Sequence, residues 1–205
     1  MNFSLSVKKP RLILCITLVG IFVFFACAKG GEPPSPEALS RSARYGEIDK
    51  ALVLLDAGAD YAKPAAGYGV TPLHWAAMDD NPEVVEAILR RARKDGRLSE
   101  ILDTRDAWNC TPLMMAAAEG NTQVVEVLVQ AGAGINLRGS GGDTALHLAV
   151  LGTKKSAQRV VKHLVAAGAD TSLTNQAGKN VTEWALRYGR ADMAALISGK
   201  EEVRP

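Results

Sequence analysis

Aromatic side chains make up only 5% of this 205-residue chain, too few for the layered core of a β-sandwich. Cysteine is scarce as well. Cys15 lies in an apolar run near the N-terminus, Cys27 at the end of that run, and Cys110 alone in the remainder. One leftover thiol cannot close an intramolecular bridge, so packing must hold the domain without a disulfide framework. Neither sign of charge is in excess. The formal net charge is +2, and setting aside Lys8, Lys9 and Arg11 leaves 21 basic against 22 acidic side chains. Bulk attraction to nucleic acid or to an anionic membrane is thereby excluded. The three histidines form no catalytic or metal-binding constellation: His163 lacks a Cys, Asp or Glu at ligand spacing, and no His joins a carboxylate and nucleophile as acyl transfer requires. Gly139-Ser140-Gly141-Gly142 lacks the Lys-Ser/Thr ending of a phosphate-binding loop and reads as a turn. No cofactor or metal is expected. What is abundant is Ala, Leu, Val and Gly within a 47% apolar composition, suited to short helices that pack closely and end on Gly.

Residues 1–27 have the form of a targeting segment. Lys8, Lys9 and Arg11 precede an uncharged, mostly apolar run, Leu12 to Ala26, of 15 residues. That length suits a signal h-region and falls short of the ~20 residues of a spanning helix. Ala26 and Ala28 form an A-x-A site, whereas Ala26-Cys27 resembles the end of a bacterial lipobox in which Cys27 would carry the lipid; an uncleaved anchor is the third possibility. Phe24 and Phe25 depart from the lipobox pattern. Residues 28–36, rich in Pro and Gly, read as a flexible tether. The expectation is an exported, periplasmic protein anchored to the membrane at Cys27.

The rest of the chain repeats itself. Thr71-Pro72-Leu73-His74-Trp75-Ala76-Ala77 recurs as Thr111-Pro112-Leu113-Met114-Met115-Ala116-Ala117 and as Thr144-Ala145-Leu146-His147-Leu148-Ala149-Val150, then loosely as Asn180-Val181-Thr182-Glu183-Trp184-Ala185-Leu186. Starting points lie 40, 33 and 36 residues apart. Each copy is too short to bury its own apolar face, which marks a stacked repeat architecture. Each phrase opens a helix, because Thr caps it and Pro in the first turn needs no N–H partner. A second apolar helix follows, as in Val124-Val125 with Val127-Leu128-Val129, and ends on Gly58-Ala59-Asp60, Gly132-Ala133-Gly134 or Gly168-Ala169-Asp170.

These phrases resemble the ankyrin repeat over nearly all of Pro36 to Ser198. The resemblance implies an all-α solenoid of about five helix-turn-helix units over 37–198, with a charged tail over 199–205. Two departures stand out. The second unit lacks the G-A-D ending and carries seven extra residues with the basic run Arg90 to Arg97, read as a solvated helix extension, with a docking arm for an acidic partner or anionic lipid head groups as the alternative. The fourth inserts three residues within Gly152 to Ser156.

What the resemblance implies for function is non-catalytic, stoichiometric binding of another protein by a monomer. The binding would scaffold, protect or inhibit an envelope protein. An immunity protein against an exported toxin and a regulatory subunit of an exported enzyme are the alternatives. The positions that carry contacts in the family fall here on Tyr68, Val70, Met78 and Asp79, on Trp108, Cys110 and Glu119, and on Asp143. Trp108, expected at a hairpin tip, is the strongest candidate anchor. Trp75 and Trp184, at the fifth place of the phrase, are expected to face the core.

Overall fold

A computed structural model describes residues 34–65, 67–152 and 156–199. The targeting segment, Cys27, the tether up to residue 33 and the tail from residue 200 lie outside the described residues.

Eleven helices, and no strand, form among the described residues. They come as five pairs: α1 (Pro36–Tyr45) with α2 (Ile48–Asp56), α3 (Pro72–Met78) with α4 (Pro82–Lys94), α6 (Pro112–Glu119) with α7 (Thr122–Gln130), α8 (Ala145–Leu151) with α9 (Ala157–Ala166), and α10 (Val181–Arg187) with α11 (Ala191–Ile197). One short extra helix, α5 (Leu98–Leu102), sits between the second and third pairs. Helix starts follow from local chemistry. Thr111 Oγ1 accepts from the Met114 N–H at 3.3 Å and Ser35 Oγ from the Ala38 N–H at 3.3 Å. Helix ends are equally local. Gly58, Gly132 and Gly168 take φ of +87°, +96° and +88°, which lets the next N–H reach back to the helix: Ala59 to the Leu54 carbonyl, Ala133 to Leu128, Ala169 to Leu164.

The pairs stack in chain order. First helices touch first helices (α1, α3, α6, α8, α10) and second helices touch second helices (α2, α4, α7, α9, α11), so each unit is covered by its neighbours. The phrase leucines Leu73, Leu113 and Leu146 are buried between layers, and Ala76, Ala77, Ala116 and Ala117 let the first helices approach with no exposure left. Burial of one such leucine is worth about 2 kcal/mol. In the degraded fifth copy the corresponding Thr182 is only half-buried, consistent with an end of the row.

Packing is supplemented by polar ties between successive units, which the phrase alone does not reveal. Asn81 Nδ2 donates to the Ala43 and Arg44 carbonyls at 2.9 and 3.1 Å, and Asn121 Nδ2 to Ala77 and Met78 at 2.9 Å each. Arg190 Nη1 does the same for Val150 and Gly152. Each satisfies carbonyls left orphaned at the end of the preceding first helix. The two phrase histidines also reach forward. The Thr71 N–H donates to His74 Nδ1 at 3.2 Å, which leaves Nε2–H to donate to the Cys110 carbonyl at 3.2 Å. His147 likewise accepts from Thr144 N–H and donates to the Lys179 carbonyl. Burial holds both imidazoles below the ordinary histidine value, although the carbonyl partners act the other way.

The second unit differs from the expectation in two respects. Its missing G-A-D is replaced in geometry by Asp95-Gly96-Arg97: Gly96 has φ +72° and the Arg97 N–H reaches the Ala92 carbonyl at 2.8 Å. The helix closes as its counterparts do, one turn later. The extra residues are also no plain solvated extension. They continue into α5, which buries Ile101 and Leu102, and two of the basic residues are tied down. Arg91 donates to the Leu55 carbonyl and to Asp95; Arg97 forms a two-pronged pair with Glu100 and lies over the Tyr61 ring. Residues 153–155, the core of the second insertion, lie outside the described residues.

Candidate functional site

Two surfaces of the row contribute to the candidate site: the outward side of the first helices and the tips of the turns that precede them. The tips form a ladder of backbone hydrogen bonds. The Ala107 N–H donates to the Tyr68 carbonyl at 2.8 Å, Ser140 to Trp108 at 3.2 Å, and Gln176 to Gly141 at 2.9 Å. Below them, Arg105 Nη1 donates to the Arg138 carbonyl, and Arg138 in turn to the Thr174 carbonyl, so the same side chain performs the same task in successive units. A rigid ladder of this kind gives the side chains it carries fixed positions.

Tyr68 and Trp108 are carried by that ladder. Their rings stack with centroids 5.2 Å apart and planes inclined by 28°, yet they remain 66% and 55% exposed. Trp108 thus leans on the neighbouring turn and still presents most of its surface. Two exposed aromatic rings already held in place lose little freedom on contact with a partner.

The phrase's fifth place makes a second row. Trp75, Met115, Leu148 and Trp184 are all half-buried; in α3, α6 and α8 both flanking residues are buried, whereas in α10 Ala185 is buried and Glu183 exposed. The expectation that Trp75 and Trp184 face the core holds in part: Trp75 packs against the core and the indole Nε1 of Trp184 is enclosed, yet both residues are only half-buried. In the three middle units the fourth and sixth places point inward and the fifth lies partly outward, because a residue one step along a helix is rotated by about 100°. The eighth place, one turn on, adds half-buried Met78, Ala118 and Leu151. The asparagine ties fix the register of the first unit. Asn81 binds the carbonyls of Ala43 and Arg44 as Asn121 binds those of Ala77 and Met78, so Arg41 holds the fifth place there and Arg44 the eighth. The row is apolar in the middle units and cationic in the first.

The remaining candidates divide. Asp79 and Glu119 are exposed at the ends of α3 and α6, and Arg44 reaches Asp79 at 3.8 Å. Val70 is half-buried beside the Tyr68 tip. Cys110 and Asp143 are engaged in the turns themselves: the Cys110 N–H donates to Asp106 Oδ1 at 2.8 Å, and Asp143 Oδ1 accepts from Asn175 Nδ2 at 2.9 Å. Burial, with help from the Asp106 carboxylate, pushes the Cys110 thiol up, which makes it a poor nucleophile. His163 Nδ1 lies 3.7 Å from Glu126 Oε1 on the opposite side of the stack. Among the described residues no group of three or more His, Cys, Asp or Glu is placed to hold a metal ion, and no helix is long and apolar enough to cross a membrane.

A stack of helix pairs that turns a mixed aromatic and charged face outward has the form of a repeat-built binding protein. The sequence agrees. A family profile described as ankyrin repeats in three copies matches residues 97–175, and one for the single ankyrin repeat matches residues 68–95, together just over half of the chain. The chain belongs to the ankyrin-repeat family, whose repeats are in general non-catalytic protein–protein interaction modules. The helix pairs α1–α2 and α10–α11 extend the same architecture beyond the matched residues. A comparison with curated proteins found no match.

Proposed function

We propose that this protein is a stoichiometric binder of a protein in the bacterial cell envelope, exported through its N-terminal segment and held at the membrane by lipid on Cys27. The observation that carries the binding reading is the continuous outward row Trp75, Met115, Leu148 and Trp184 beside the Tyr68–Trp108 stack. Large apolar side chains at one repeating register, left half-open by a scaffold that buries their neighbours in the three middle units, mark a surface for another polypeptide. The basic n-region, the 15-residue apolar run and the small residues around Cys27 support the export and anchor.

A photo-crosslinking amino acid introduced at Trp108 or Met115 in living cells tests the first part. A single crosslinked partner from these positions, and none from exposed Arg159 on α9, is the expected result. Crosslinks equally strong from both sides, or from neither, end the reading. The anchor is tested separately: Cys27→Ser moves the protein from the membrane fraction to the soluble periplasm, and an unchanged distribution refutes lipidation.

A further inference from the structure

The first unit breaks the pattern of the row at one place, and the break has the shape of a binding pocket. Arg41, Arg44, Tyr45, Ser40, Glu37 and Trp75 line a recess of about 200 Å³ between α1 and α3. Trp75 forms one wall, with the Arg44 guanidinium 4.7 Å above its ring centroid. Ser40 occupies the place that His74 and His147 hold in later units. There the imidazole ties one unit to the next; here the Ser40 side chain is too short to do so. Ser40 is 4% exposed and its hydroxyl finds no hydrogen-bond partner among the described residues. Burying an unpaired hydroxyl costs stability.

Charge supplies the second observation. Arg41 is exposed and makes no ion pair among the described residues, and the Arg44–Asp79 contact is long, at 3.8 Å, and exposed. Glu37, also in the lining, keeps its negative charge and offsets part of the positive charge. Its carboxylate is drawn to the start of α1, where its own backbone N–H and Ser35 hold it below the usual carboxylate range. The recess therefore gathers two guanidinium groups, those of Arg41 and Arg44, at the end of an apolar row.

We infer that this recess receives the carboxylate of an aspartate or glutamate side chain of the bound polypeptide, whose neighbouring apolar side chains lie along Trp75, Met115 and Leu148. The inference rests on the proposed binding role and specifies what is bound. The apolar row matches a polypeptide better than a nucleic acid backbone. The carboxylates of Glu37 and Asp79 at the rim favour a singly charged group over a phosphate. The partner segment is thus acidic at the end that meets α1 and apolar beyond it.

The experiment is selection of a random-peptide phage library on the full chain in detergent micelles, followed by anisotropy titration of the enriched peptides. Enriched sequences are expected to carry Asp or Glu at a fixed distance from large apolar residues. The Arg41→Glu/Arg44→Glu variant is expected to bind them about tenfold more weakly and to select Lys or Arg instead. Arg159→Glu serves as the control and leaves affinity unchanged. Peptides without an acidic residue, or acidic peptides insensitive to the charge reversal, overturn the inference; if their binding still falls with Trp75→Ala, the row remains a binding surface. Binding by free-acid peptides and not by their amidated forms overturns it in favour of a chain terminus. Failure to enrich any peptide that depends on Trp75 or Trp108 overturns the inference together with the binding role.

Discussion

His74 and His147 should make the stability of the stack depend on pH in a calculable way. Both are fully buried, accept at Nδ1 from a backbone N–H and donate from Nε2 to a carbonyl of the next unit, so both are neutral when folded. Their values lie below the ordinary 6.5, with burial as the main cause. The sign follows. As pH falls through 6.5 the unfolded chain takes up protons that the folded chain refuses, so stability is present above that pH and lost below it. Each pH unit costs about 1.36 kcal/mol per histidine, so at pH ~5 the pair lowers stability by at most about 4 kcal/mol. Met114 occupies the same place in the third unit, fully buried, and shows that methionine fits. The double variant His74→Met/His147→Met should be less stable at pH ~7.5 by about 1–2 kcal/mol per site, because the inter-unit hydrogen bonds are gone. Its loss of stability between pH 7 and pH 5 should be much the smaller, so the two curves converge on acidification. Urea denaturation followed by circular dichroism at a series of pH values reads both quantities. Equal slopes for the two proteins would refute the burial argument.

Other perturbations test the ties and the tips. Asn121→Ala removes two hydrogen bonds from a buried side chain and should cost about 2–3 kcal/mol, or about 5–10 °C in melting temperature. Asn81→Ala should cost less, since its bond to the Arg44 carbonyl is exposed; the reverse order would show that packing and not carbonyl satisfaction sets the effect. Gly142→Ala should destabilise by about 1–3 kcal/mol, because a Cβ there would sit 2.9 Å from the Gln176 backbone nitrogen at φ +73°. Trp108→Ala should leave the melting transition nearly unchanged and weaken a bound partner by about 2 kcal/mol, measured by calorimetry on each; parallel loss of folding and binding would mean that the ring serves the scaffold.

The helical pairing was legible because the signals are local. Thr-Pro caps, paired alanines and the Gly that closes each second helix act within a few residues, and their recurrence is visible at any spacing. The fifth place was legible only in part, for a reason equally physical. In an eight-residue helix such as α6, which carries Leu, Met and Ala on several sides, apolar character does not distinguish inside from outside. Trp75 and Trp184 look like core residues until the neighbouring units are in place. The asparagines were missed because one copy gives them no meaning. Yet Asn81 and Asn121 each fall four residues after the second alanine of the phrase, and that shared offset was the available signal.

The same distinction explains why the candidate site lies where it does. Caps and closures are completed within a unit and tolerate little change, whereas the fifth and eighth places touch no element of their own unit that must be satisfied. Trp75, Met115 and Leu148 can therefore differ from one another while Ala76, Ala116 and Ala149 cannot. Variation at a fixed, outward register costs the scaffold almost nothing, so those positions are free to be shaped by a partner. Arg41 and Ser40 extend the reasoning to the first unit. The inward place has given up its histidine, leaving a hydroxyl that no fold requirement accounts for, and the outward place beside it has become cationic. The cationic fifth and eighth places, Arg41 and Arg44, cost the fold nothing and point to a contact made from outside the chain.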